Sequence, residues 1–349
     1  MAPSARSWPS REGFTADVLG GLISSTLLDP WKLIPLLALA QYTAQGRELI
    51  EARPNLDKAL KVLTALGVFN GLGNWLNRRT VNNGVSDKYD WNREVVVLTG
   101  GSNGIGRRIA ERLGSRGIKV AILDIAPPAA GDILPSSVRY YQCDITSSEN
   151  ITEVAAKIRA SLGRPTILIN NAGICTGRTI LNTTAAQTRR MFEVNTFAHY
   201  WLAQEFLPDM IKANHGMVVT VASQAAYTVT PNMVDYSASK AAAIAFHEGL
   251  GAELVTRYSA PKVRTVLVTQ GFTRTNLIKD LTPEDTFLNP LLDPETVAEE
   301  AVKQVLKGES GHVIVPGAAG WVAKRFRGLP DWFQHSLRCK LEKLMRASE

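Results

Sequence analysis

The segment Tyr236-Ser-Ala-Ser-Lys240 sets a phenol and an amine four residues apart. On a helix that spacing puts both groups on one face. A free tyrosine, with a pKa of about 10, is a poor base at neutral pH. An ammonium group beside it favours the phenolate and lowers that pKa, which makes the pair a donor or acceptor of protons. Ser223, just after the apolar run Met217–Val221, offers a hydroxyl that can hold a reacting oxygen in place. Taken singly, each residue has an ordinary reading: a core tyrosine, a surface lysine, a strand-end serine.

A second kind of chemistry is written in Val95-Val-Val-Leu-Thr-Gly-Gly-Ser-Asn-Gly-Ile-Gly106. A buried strand runs into a glycine-rich turn and then into a helical pattern. Glycines let the backbone bend sharply and approach a pyrophosphate, and the helix start offers N–H groups and the positive end of its dipole. The next apolar run ends at Asp124, at the distance expected of a carboxylate that bonds adenosine ribose hydroxyls. A carboxylate there repels a 2′-phosphate, so NAD is favoured over NADP. Asn103 in the turn carries no charge to offset a phosphate, while Arg107 and Arg108 leave some room for NADP.

The elements that must position these groups can be read from the pattern of apolar residues. Val95–Thr99, Val120–Leu123, Ile167–Asn170, Met217–Val221, Val263–Val268 and His312–Val315 are short, β-branched and bounded by turn residues, as buried strands are. Helical stretches such as Ile105–Arg116, Ser148–Leu162, Ala186–Ala213 and Val234–Arg257 lie between them. This alternation predicts an α/β domain: a doubly wound parallel sheet of Rossmann type over residues 91–318. The 349 residues suit one such domain with terminal extensions. Three scattered cysteines, Cys143, Cys175 and Cys339, suggest neither a disulfide framework nor a metal site.

Residues 1–90 lack strand alternation and hold two apolar stretches, Leu33–Ala40 and Ala59–Leu76, broken by Pro35 and by three glycines. Neither is a clean run of about 20 apolar residues, the length of a spanning helix, and no secretory signal precedes them. The expectation is a helical region lying on a membrane, with Arg78 and Arg79 at the headgroups. The formal net charge is +7, concentrated in the tail 319–349, where Lys324, Arg325, Arg327, Arg338, Lys340, Lys343 and Arg346 interleave with Trp321, Phe326, Trp332, Phe333, Leu337, Leu341 and Leu344. This mixture reads as an amphipathic segment for a lipid interface or a solvated helix, rather than as a nucleic-acid arm.

With Asn170-Asn-Ala-Gly173 after a strand, these blocks together resemble the short-chain dehydrogenase/reductase family over residues 93–316. The resemblance implies hydride exchange with NAD(P), with Ser223, Tyr236 and Lys240 as the catalytic trio. It implies that Asn195, in Phe192-Glu-Val-Asn-Thr, holds a water near the lysine. It places Thr99, Gly100, Ser102, Gly104, Ile105 and Gly106 at the nucleotide turn, Asp144 beside the adenine and Asn171 as support for the sheet next to the cofactor. Tyr236 and Lys240 would also face the cofactor, and Thr275 its carboxamide. Where the family has Pro-Gly after the sixth strand, this chain has Gln270-Gly271. Finer similarity, in Phe192–Trp201, Phe206–Met210 and His215–Ser223, is to the membrane or lipid-droplet branch with retinol and 17β-hydroxysteroid dehydrogenases. That implies an apolar alcohol or ketone as substrate, an endoplasmic reticulum or lipid-droplet location and a homodimer or homotetramer. Leu277, Ile278, Leu281, Phe287, Leu288, Leu291 and Leu292 would form an apolar lid or simply close the core. A 3-oxoacyl reductase of lipid synthesis and a non-catalytic lipid-surface scaffold are the competing readings.

Overall fold

The computed structural model describes residues 10–278 and 287–344. The chain forms two compact units, Met1–Val81 and Asn82–Glu349. In the first, the described residues form four helices: α1 Ala16–Thr26, α2 Pro30–Tyr42, α3 Ala44–Ala52 and α4 Pro54–Val81. Asp29 caps α2 by accepting from Trp31 N–H, and Pro30 occupies the first turn, where its missing N–H costs nothing. Packing inside this unit is thin. α1 and α3 bury no residue, α2 buries Leu33, and α4 buries Leu60, Thr64 and Gly67. Gly67 is needed where α4 passes the chain before α2, because a Cβ there would lie 2.9 Å from the Leu28 carbonyl.

The second unit is a seven-stranded parallel sheet in the order β3-β2-β1-β4-β5-β6-β7. In chain order its elements are β1 Val95–Thr99, α5 Gly104–Gly114, β2 Lys119–Asp124, β3 Val138–Gln142, α6 Ser148–Ser161, β4 Ile167–Asn170 and α7 Ala185–Phe192. There follow α8 Ala198–Ala213, β5 Met217–Val221, α9 Val234–Thr256, β6 Arg264–Gln270, α10 Pro294–Leu306, β7 Gly311–Val315, α11 Gly317–Arg325 and α12 Asp331–Lys340. Two apolar layers enclose the sheet. One includes Val97, Ile158, Leu202 and Phe206; the other includes Leu98, Ile109, Leu113 and Val302. The expected doubly wound Rossmann sheet is what forms. Strand order reverses between β1 and β4, the place where open α/β sheets bind ligands beyond the carboxyl ends of their strands.

Three differences from the sequence reading have physical causes. The run Val138–Gln142 was not among the strands read as buried runs, because it is the edge strand and buries only Val138 fully. The helical stretch Ala186–Ala213 is interrupted by a π-helical turn at Glu193–Phe197, a feature that hydrophobic periodicity does not register. The composition shift near residue 90 and the structural division at Val81/Asn82 differ by a strap that belongs with the sheet. Arg264, fully buried, donates to Asn82 O at 3.0 Å and Val85 O at 2.8 Å, and Tyr89 Oη donates to Gly216 O at 2.6 Å. His215 closes the strap between Asp87 and Glu94, at 2.6 and 3.3 Å. Hydrogen bonds that it donates to the Glu94 and Asp87 carboxylates raise its pKa to about 9, against the opposing effect of burial.

Candidate active site

The carboxyl ends of the strands bring the expected residues to one edge of the sheet. β1 delivers Thr99 and the glycine turn, β2 Asp124, β4 Asn170 and Asn171, β5 Ser223, and β6 Gln270. The turn is wound as tightly as its glycines allow. Gly100 and Gly104 hold φ of +65° and +56°, a region that side chains disfavour. A Cβ on Gly106 would come 2.2 Å from the Gly100 carbonyl and 2.5 Å from Asn171 Nδ2. A Cβ on Gly104 would come 3.3 Å from Thr275 Cγ2, so the turn and Thr275 face each other across a strip kept clear of side chains. That cradle, at the start of α5, fits a dinucleotide.

Thr99 and Asn171 brace this turn from behind. Thr99 Oγ1, buried, accepts from Asn171 N–H and Ala172 N–H at 3.0 and 3.1 Å, and Asn171 Nδ2 donates to the Thr99 and Gly100 carbonyls. These bonds make Thr99 and Asn171 positioning residues for the turn. Asp124 accepts from Ser102 N–H at 3.0 Å and from Ala126 N–H at 3.4 Å, one bond to each carboxylate oxygen, which leaves further lone pairs available. Asp144 accepts from Thr146 N–H and Oγ1 at 3.0 and 2.7 Å and pairs with Arg190 at 3.4 Å. Burial would raise its pKa, but these bonds outweigh it and hold the carboxyl below its ordinary range. Arg107 is paired with Glu111 at 2.6 Å, and Arg108 with Glu111 at 2.9 Å and Glu295 at 3.8 Å.

α9 carries Tyr236 and Lys240 on one face, as their spacing predicts. Both are nearly sealed, at 5% and 3% exposure. Lys240 Nζ donates to Val221 O at 2.9 Å, which anchors it to the end of β5, and lies 6.0 Å from the Tyr236 ring centre. Burial pushes the Lys240 pKa down to about 8. The expected lowering of the tyrosine pKa is not found in the protein alone. Burial raises the Tyr236 phenol far above its ordinary value, the Cys175 thiol adds to this, and only a hydrogen bond with Ser223 opposes it. Desolvation therefore wins over the ammonium, whose hydrogen bond goes to a carbonyl rather than to the phenol. Ser223 Oγ also accepts from Ala225 N–H at 3.1 Å.

Asn195 sits in the π-helical turn, fully buried. Its Oδ1 accepts from Ile174 N–H at 2.8 Å, and its Nδ2 donates to Ile174 O at 2.9 Å and Ser239 Oγ at 3.0 Å. The side-chain amide pins the Gly173–Ile174 segment against α9. Gly173 separates it from the lysine: a Cβ there would come 3.2 Å from Lys240 Nζ and 3.3 Å from Asn195 Oδ1.

A cavity joins these parts. Ser223 and Tyr236 line it together with Ile105, Thr275 and Leu277. Its walls also include Gln224, Gln270, Asn289 and Leu341, which sequence reasoning did not place at the site. Gln270 had a signal, since it stands where a proline was expected. The others arrive from remote segments, and Leu341 comes from the basic tail. The proposed lid divides. Leu277 lines the cavity, Phe287 and Leu288 are exposed, and Leu292 is fully buried in the core beside its bridge to Thr273. Leu281 and the side chain of Ile278 lie outside the described residues, as do Arg346 and the side chains of Lys343 and Leu344 in the tail.

Comparison with known proteins agrees with this geometry. Residues 94–286 match the family model described as short chain dehydrogenase. Dehydrogenase RED2 of Cochliobolus heterostrophus is 44% identical over 59% of this chain and 78% of its own length. Estradiol 17-beta-dehydrogenase 11 of Rattus norvegicus is 34% identical over 71% of this chain and 84% of its own. Among solved structures, a short-chain dehydrogenase from Streptomyces avermitilis superposes with a TM-score of 0.58 at 26% identity, over 72% of this chain and 96% of that one.

Proposed function

The chain belongs to the short-chain dehydrogenase family of NAD(P)-dependent oxidoreductases, and from that premise we propose that it interconverts an apolar alcohol and its carbonyl partner, steroid-, retinoid- or lipid-like, at a lipid surface. One observation carries the reading: Ser223 and Tyr236 share a cavity with Ile105 and Thr275, the residues that flank the dinucleotide cradle. The nicotinamide, when bound, supplies or takes the hydride. The glycine turn and the start of α5 hold the pyrophosphate, Asp124 the ribose and Thr275 the carboxamide.

The protein's own task is the proton. In the reducing direction Ser223 holds the substrate oxygen and Tyr236 gives it a proton. A phenol raised by burial is fully protonated at neutral pH and so is ready as the acid. The phenolate left behind needs a cation, and Lys240, with its pKa about 8, still carries its charge at pH 7. In the oxidising direction the same groups run in reverse. Tyr236→Phe keeps the ring and removes the proton, so kcat should fall by about 10²- to 10⁴-fold. Turnover equal to that of the unaltered protein on a panel of apolar alcohols and ketones would sink the mechanism.

NAD is the favoured cofactor. Asp124 faces the turn, where a carboxylate repels a 2′-phosphate, and Arg107 and Arg108 both pair with carboxylates. Direct titration should show tighter binding of NADH than of NADPH; the opposite order would overturn this assignment. The lipid surface is the finer half of the proposal. It is supported by the outward apolar side chains of α1–α4 and by the similarity to estradiol 17-beta-dehydrogenase 11. Among the described residues no single helix is long and apolar enough to cross a membrane. α1 and α2, bent by 44° at their break, pass that test only as a pair. A re-entrant or surface-lying anchor in the endoplasmic reticulum or on a lipid droplet is the arrangement proposed.

A further inference from the structure

Three side-chain amides line the cavity that holds Ser223 and Tyr236: Gln224, Gln270 and Asn289. They come from the turn after β5, from the end of β6 and from the stretch before α10. Gln224 is tied down, because its Nε2 donates to Pro316 O at 3.1 Å. The other two are not. Gln270 Oε1 and Asn289 Oδ1 are buried and receive no hydrogen bond. Asn289 Oδ1 comes close to the chain just after Gln270, since a Cβ on Gly271 would lie only 3.1 Å from it. Position 270 is also the point at which this chain departs from the expected Pro-Gly, and a proline side chain has no acceptor to offer.

An acceptor hidden from water and left unpaired costs its full desolvation, and folded proteins keep very few. Two such oxygens belong to residues that line the same cavity as the proton-transfer residues. Much of the remaining wall is apolar, with Ala225, Met233, Phe272, Leu277 and Leu341. A wholly apolar ligand would leave both oxygens unpaired. The terminal amide torsions are soft, so a small rotation turns either oxygen towards a donor. We infer that Gln270 and Asn289 form a donor-reading subsite: besides the oxygen that reacts at Tyr236, the substrate carries a second hydroxyl that donates to one or both of these amide oxygens. The inference takes its substrate class from the proposed reaction, but the subsite is read by binding and does not depend on turnover.

The test is calorimetric titration of the full chain loaded with NAD, using 17-ketosteroids with and without a 3-hydroxyl, and long-chain alkanones with and without a distal hydroxyl. In at least one pair the hydroxylated member should bind about ten-fold tighter, because a site built around polar groups rejects the analogue that leaves them unpaired. Gln270→Met and Asn289→Leu, on different segments, should each shrink that preference to about three-fold or less, with NADH affinity unchanged. A protein that prefers no hydroxylated member in any pair overturns the subsite, as do variants that keep the full preference. Variants that lose NADH affinity and keep the preference would assign the two oxygens to the cofactor instead, and overturn it too. Full turnover by Tyr236→Phe would defeat the proposed reaction while leaving the hydroxyl preference standing, so the two ideas fail separately.

Discussion

Residues 10–81 and the unit that begins at Asn82 use the same apolar side chains in opposite directions. In the sheet unit β1, β4 and β5 are buried at every position, and Leu98, Ile122 and Leu123 are fully enclosed. In the helical unit more than half of the exposed large apolar side chains of the described protein are gathered, with Trp31 at 87% and Phe69 at 77% exposure. A water-soluble bundle of four helices turns such residues inward. The contrast teaches that hydrophobic content alone does not say where a residue goes. The apolar surface of the first unit suits the lipid surroundings proposed for it.

This contrast can be broken by experiment, and the largest effect should come from removing one side of it. Deleting residues 1–81 should release nearly all of the protein from the membrane pellet of fractionated cells, while turnover of a water-soluble substrate stays within about two-fold. Unchanged pelleting would show that the helical unit is not the anchor. Next come identical substitutions on the two sides. Leu113→Ala, fully enclosed under the sheet, should lower unfolding free energy by about 2–5 kcal/mol. Leu39→Ala on α2, 57% exposed, should change it by no more than about 0.5 kcal/mol, the smallest effect expected here. A costly Leu39→Ala would mean that this face is covered within the protein.

Between these lies the strap of the sheet unit. His215 is raised to about 9 from an ordinary 6.5, so its contribution is fully present below pH 6.5 and is lost as pH rises through 9. For Glu94, burial raises the pKa, but hydrogen bonds from His215 and Thr166 outweigh it and leave the value lowered. Its contribution is present above pH 4.5 and is lost as pH falls through the lowered value. Thermal melts should therefore decline from pH 6.5 towards 9. His215→Ala should flatten that decline and cost about 2 kcal/mol at pH 6, the scale of hydrogen bonds to a charged group. Parallel pH profiles for the two proteins would refute the strap.

Much of this was legible in the sequence where a signal is local. β1, β4 and β5 were read to the residue because a fully buried parallel strand is an unbroken apolar run with turn residues at its ends. Tyr236 and Lys240 were legible because helical spacing alone places them together. What was hidden depends on partners far away in the chain. β3 needed its neighbour β2 to be recognised as a strand at the sheet edge. Asn195 announced an amide but not that Ile174 and Ser239 would be its partners. Leu341 reaches the cavity over a span that no periodicity describes.

Gly173 has a practical use. It lies between the lysine ammonium and the asparagine amide with no room for a methyl group unless one of them shifts by a few tenths of an ångström. An alanine allele at this one position would leave the hydroxyl, the phenol and the amine all chemically present, yet press the amine or the asparagine amide out of place. Such an allele would give genetics a way to separate what the protein does by turnover from what it does merely by being present.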